Sequence, residues 1–116
     1  MCHVLIIEDE PFVAMDIQAM LEAEGATSFH IATTEAEAVA AAREHPPQVI
    51  TSDVKLLEGT GPGAVRTIQA ELGDVPVMFI TGTPEACDVC DPPTVVLQKP
   101  LRRISVVETF RILARL

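Results

Sequence analysis

Five short, nearly continuous apolar runs alternate with helix-patterned segments, and this alternation constrains the fold more than any other feature. The runs are His3 to Ile7, Thr27 to Ile31, Gln48 to Ser52, Pro76 to Ile80 and Thr94 to Leu97. Most lack the apolar/polar alternation of a strand with one wet face and read as strands buried on both sides, with Thr27 to Ile31 the weaker one. Between them, Pro11 opens a helix at a position where its missing N–H is not needed. Val13, Ile17, Met20 and Leu21 then recur at helical spacing before Gly25. Thr33 or Thr34 is placed to cap a second helix running to about His45, with Ala36, Val39 and Ala40 as its expected packing stripe. Pro62 opens a third helix through about Leu72, and a final one spans about Arg103 to Ala114 with Val107, Phe110 and Leu113 inward. The polar segment Thr83 to Pro93 has room for one brief helix. Strand–helix alternation with buried strands predicts a parallel sheet covered on both faces. Right-handed crossovers make a five-stranded, doubly wound α/β fold the most economical topology.

One such domain accounts for all 116 residues, and 48% hydrophobic content supports a packed core. The balance of 17 acidic against 8 basic residues, a net charge of −9, argues against direct nucleic-acid binding. It suits contact with metal cations or with basic surfaces on partners. The apolar run ended by Glu8 is far too short to span a membrane. Three cysteines and no secretory leader imply a reducing, cytoplasmic setting.

In a parallel sheet the carboxyl ends of all strands share one edge, the edge where such folds bind ligands. That edge collects Glu8 and Asp9 after the first strand, Asp53 after the third, Thr81 with Gly82 after the fourth, and Lys99 after the fifth. Taken singly, an acidic residue after a strand is usually a helix cap, a loop threonine another cap and a lysine a solvated charge. Five residues at corresponding strand ends form a constellation instead. Clustered carboxylates repel one another unless a cation sits among them, and few carboxylates with several waters describe a magnesium site. Such a site lets Asp53 act as nucleophile toward a phosphoryl group, with Lys99, Thr81 and the Gly82 N–H on its oxygens.

With the acidic pair Glu8-Asp9, strand-end Asp53, Thr81-Gly82 and Lys99-Pro100 in this order, the whole chain resembles the receiver domains of two-component response regulators. The resemblance implies a flavodoxin-like sheet in strand order 2-1-3-4-5. It also implies Asp53 as phosphoacceptor, and a histidine kinase or phosphotransfer protein as donor. Magnesium would be held by Glu8, Asp9, Asp53 and the backbone carbonyl of Lys55, and the Lys99-Pro100 peptide would be cis. The chain ends directly after the last helix, so a receiver without an output domain is expected, acting on a downstream protein that the sequence does not name.

Two departures qualify the resemblance. Val96 stands where receivers commonly carry an aromatic ring that turns inward on phosphorylation, and the segment from Thr81 to Lys99 is short, leaving a reduced fourth-helix region at Cys87 to Pro93. Phe79-Ile80-Thr81-Gly82 is similar to a receiver subgroup with Phe-x-Thr-Gly at this strand. The expectation is therefore phosphorylation with an unconventional read-out through Thr83 to Thr94. Lys55 reads either as an ammonium beside the phosphate or as a solvated loop lysine. The pair Cys87 and Cys90 lacks the partners of a zinc or redox site. The run Gly59 to Gly63 lacks the Lys-Ser/Thr ending of a phosphate loop and reads as a mobile loop opening the third helix.

Two other function classes compete. A receiver-fold docking module that ignores phosphorylation is favoured by Val96 and disfavoured by the intact acidic and lysine set. A magnesium phosphatase with an aspartyl nucleophile needs a second acid two residues on, where Lys55 stands. A nucleotide-binding module fails at the first loop, where Glu8-Asp9-Glu10 would repel phosphate.

Overall fold

The protein was analysed as a computed structural model, which describes residues 2–82 and 94–114. Five strands, β1 (His3–Ile7), β2 (Ser28–Ala32), β3 (Val49–Ser52), β4 (Val77–Thr81) and β5 (Thr94–Gln98), form one sheet in the order β2-β1-β3-β4-β5. Every pairing is parallel. The doubly wound topology read from the sequence and the order implied by the resemblance are both present. The expected brief helix within Thr83 to Pro93, and with it Cys87 and Cys90, lies outside the described residues.

The side-chain period of two along each strand divides the core into two layers. Leu5, Ile7, Ile50, Val77 and Phe79 face helices α2 (Glu35–Glu44) and α3 (Gly61–Leu72). Val4, Ile6, Val49, Met78 and Ile80 face α1 (Pro11–Ala23) and α4 (Arg103–Ala114). Central strands β1, β3 and β4 are buried throughout, which is why their sequences carry no polar alternation. Strands β2 and β5 close the two edges and are partly exposed. Among the described residues no helix is long and apolar enough to cross a membrane.

The helices correct the sequence reading in detail. In α2 the buried stripe is Ala38, Ala41 and Ala42; Ala36 and Ala40 are exposed and Val39 is only partly buried. The cap is Thr34, whose hydroxyl accepts the Glu37 N–H at 3.1 Å, and this start sets which alanines meet the sheet. In α1 the inward residues are Ala14, Ile17 and Leu21, with Val13 and Met20 at the margin. In α4 Val106 joins Val107 and Phe110 in the core, and Leu113 packs at its border.

Candidate functional site

The site is built on the last rung of the sheet. Three residues each stand one position beyond a strand, and each backbone N–H extends the ladder to the neighbouring strand. Glu8 N donates to Ala32 O at 2.8 Å, Asp53 N to Ile7 O at 2.8 Å, and Lys99 N to Thr81 O at 2.8 Å. Residues 91 positions apart are thereby fixed at one edge by backbone geometry alone.

Their side chains converge. Lys99 Nζ lies 3.1 Å from Asp53 Oδ2, 3.4 Å from Glu8 Oε1 and 3.6 Å from Glu10 Oε1. Asp53 is buried, and its Oδ1 accepts the Val54 N–H at 2.7 Å. Glu8 is more buried still, at 1% exposure; Oε1 accepts the Glu10 N–H, and Oε2 has no partner among the described residues. Carboxylate oxygens of Glu8, Asp9, Glu10 and Asp53 all lie within 4.8 Å of one another. Glu10 was not singled out in the sequence. Its one legible signal is its place next to the acidic pair, where it reads as part of a turn.

Electrostatics follow from this packing. Burial, and after it the Asp53 charge, push the Glu8 carboxyl up to about 7, against the opposing pull of Lys99. Burial works against the Lys99 ammonium, but its hydrogen bond to Asp53 and the charges of Glu8, Asp53 and Glu10 prevail and raise its pKa. The edge thus holds more negative charge than its lysine can balance. An orphaned, buried carboxylate oxygen amid four acidic groups fits a hard divalent cation.

The remaining residues frame this cluster. Thr81 is buried at the end of β4; Gly82 follows it, exposed, with open space among the described residues where a side chain would be. The Lys99-Pro100 peptide is cis. Lys55 is exposed and forms an isolated antiparallel bridge with Thr60 across the β3–α3 loop. Most of that loop is exposed, but its entry into α3 is held close to the acceptor. Gly61 N donates to Val54 O at 2.9 Å, and a methyl group on Gly61 would overlap the Asp53 carbonyl oxygen and the Ser52 hydroxyl. Glycine is required there by close approach to the acceptor's own backbone.

Comparison with known proteins agrees with this geometry. The family described as the response regulator receiver domain matches residues 4–91, a span that stops short of Lys99. The phyllosphere-induced regulator PhyR of Methylorubrum extorquens is 42% identical over 85 residues, 72% of this chain and 32% of that protein. The chain spans about a third of the curated relatives it matches. The receiver domain of Erythrobacter litoralis PhyR superposes with a TM-score of 0.86 at 31% identity, covering 97% of this chain and 88% of that one. The anti-anti-sigma factor PhyR of Bartonella quintana gives a TM-score of 0.77 at 34% identity, covering 97% of this chain but 46% of that one. With a family match over most of its length and the acidic edge in place, the chain belongs to the response regulator receiver domains.

Proposed function

We propose that this receiver takes a phosphoryl group on Asp53 from a histidine kinase or phosphotransfer protein and thereby alters a surface that binds another protein. The observation that carries the reading is the single ammonium of Lys99, shared between the buried Asp53 and Glu8 carboxylates. An Asp53 carboxylate oxygen attacks the phosphorus of a phosphohistidine. The new O–P bond forms as the P–N bond breaks; the imidazole keeps that electron pair and takes a proton from water. Lys99 moves from the carboxylate to a phosphoryl oxygen, and the Thr81 hydroxyl and Gly82 N–H donate to others. Magnesium would be held by Glu8, Asp9, Asp53 and the Lys55 backbone carbonyl, and would supply neutralising charge for the phosphoryl oxygens.

The module's own phosphorylation and dephosphorylation are the only chemistry proposed, in a cytoplasmic setting. Val96 is 38% exposed on edge strand β5, opposite Phe79 in the register, so no ring turns inward there. We infer that the read-out runs through the Thr83 to Thr94 segment instead. The Bartonella quintana relative is an anti-anti-sigma factor, which makes a protein, rather than DNA, the class of target we infer.

Intact mass after incubation with magnesium and acetyl phosphate tests the acceptor. One phosphoryl adduct is expected on the wild type, none without magnesium and none on Asp53→Asn. No adduct on folded wild type, with a cognate kinase also supplied, would hand the function to the phosphorylation-independent docking module.

A further inference from the structure

The β3–α3 loop carries Lys55, whose carbonyl the proposed cation site uses, yet little apolar packing restrains its outer side. There it borders an open groove of about 540 Å³ between α2 and α3, lined in part by Glu35, Arg43, Glu58 and Gly59. Beside the Lys55–Thr60 bridge and the Gly61 N–H bond to Val54 O within the loop, the restraint from outside it comes from one residue at the start of α2. Glu35 N donates to Glu58 O at 3.0 Å, and Glu35 Oε1 accepts the Thr60 N–H at 2.9 Å. Two hydrogen bonds from a single residue therefore grip the loop on either side of Gly59.

Steric fit reinforces the grip. Gly59 has a φ of +79°, which favours glycine, and a Cβ added there would lie 2.5 Å from the Glu35 Cβ. A Cβ on Gly63 would lie 2.7 Å from Glu35 Oε1. Two glycines of the loop and following helix thus press on Glu35, while Gly61 between them presses on the backbone of Asp53. Thr60, held by Glu35, caps α3 through its hydroxyl, which accepts the Gly63 N–H at 3.0 Å, and pairs across the loop with Lys55. The contacts run without a gap from Glu35 through Thr60 to Lys55, and through Gly61 to Asp53.

We propose that Glu35 is a positioning residue for the Asp53 site, a clamp from the first turn of α2 that fixes the β3–α3 loop and so presents the Lys55 carbonyl to the cation. The inference rests on the acceptor reading above and extends it to a residue outside the acidic edge. Residues that orient metal ligands from behind commonly change metal affinity by about 10–100-fold when removed. Glutamine in place of Glu35 keeps the Oε1 acceptor; alanine removes it.

The test compares wild type with Glu35→Ala, Glu35→Gln and, as a control on the same helix, Thr34→Ala, which loses a cap but no loop contact. Magnesium affinity of the unphosphorylated protein is measured by calorimetry, exchange of the Thr60 amide by NMR, and phosphoryl uptake by intact mass. Glu35→Ala is expected to weaken magnesium binding about tenfold, speed Thr60 exchange and slow uptake. Glu35→Gln should stay close to wild type, and Thr34→Ala should lower melting temperature with magnesium affinity unchanged. Wild-type magnesium affinity in Glu35→Ala, or equal loss of affinity in Thr34→Ala, would overturn the clamp and leave the acceptor reading standing. Failure of the wild type itself to bind magnesium and take up phosphoryl would overturn both.

Discussion

Glu8 holds a carboxylate in a place that disfavours its charge, with one oxygen on Lys99 and the other without a partner among the described residues. Its folded pKa, about 7 against an ordinary 4.5, gives a signed prediction. Between those values the folded state binds more protons than the unfolded chain, so stability is fully present below pH 4.5 and falls as pH rises through 7. The loss is on the order of 2–3 kcal/mol. Urea titrations of the magnesium-free protein from pH 5 to 8 should show this decline, and Glu8→Gln should flatten it. Magnesium, which needs the carboxylate ionised, should stabilise the wild type more at pH 8 than at pH 5.5. Equal stabilisation at both values would remove Glu8 from the cation site. At this scale the sequence was informative about Glu8, Asp53 and Lys99 because each follows a strand directly, and about Asp9 because it is paired with Glu8. Glu35 was not visible and Glu10 showed only as a neighbour of the acidic pair, since their contacts depend on how a turn and a helix start meet distant residues.

Between residue and fold, the strands were legible and one helix face was not. Buried parallel strands leave a run of apolar residues, so β1, β3 and β4 stand out in the sequence. Helix α2 contains alanine at 36, 38, 40, 41 and 42, and residues of one size give no contrast from which a buried stripe can be read. Only the position of the Thr34 cap and the docking against the sheet select Ala38, Ala41 and Ala42. In the β3–α3 connection one glycine has a packing reason the sequence does not display. Its glycines suggest freedom, whereas Gly61 is small because Asp53 lies against it. Gly61→Ala is therefore expected to destabilise by about 1–3 kcal/mol through overpacking and to impair phosphoryl uptake beyond that loss. Thermal melting and intact mass on the same sample separate the two effects. A variant with wild-type melting and uptake would show that the loop yields freely.

At the scale of the molecule, two apolar layers flank one sheet and must both form for the edge to close. Phe110, fully buried, anchors the layer shared by α1 and α4. Phe110→Ala should cost about 3–5 kcal/mol, read as a lower urea midpoint by circular dichroism, the chain having no tryptophan or tyrosine to report by fluorescence. The doubly wound plan itself was readable from strand–helix alternation. What it does to the acid–lysine cluster was readable only as shared strand ends.

The span of 91 residues between Glu8 and Lys99 has a consequence for a chain still being made. Glu8 and Asp53 leave the ribosome long before Lys99, and the pairing that assembles the acceptor waits on the strand added last to the sheet. An aspartyl phosphate on this protein would therefore mark a chain made at least as far as Lys99, because nothing shorter possesses the lysine that answers its charge.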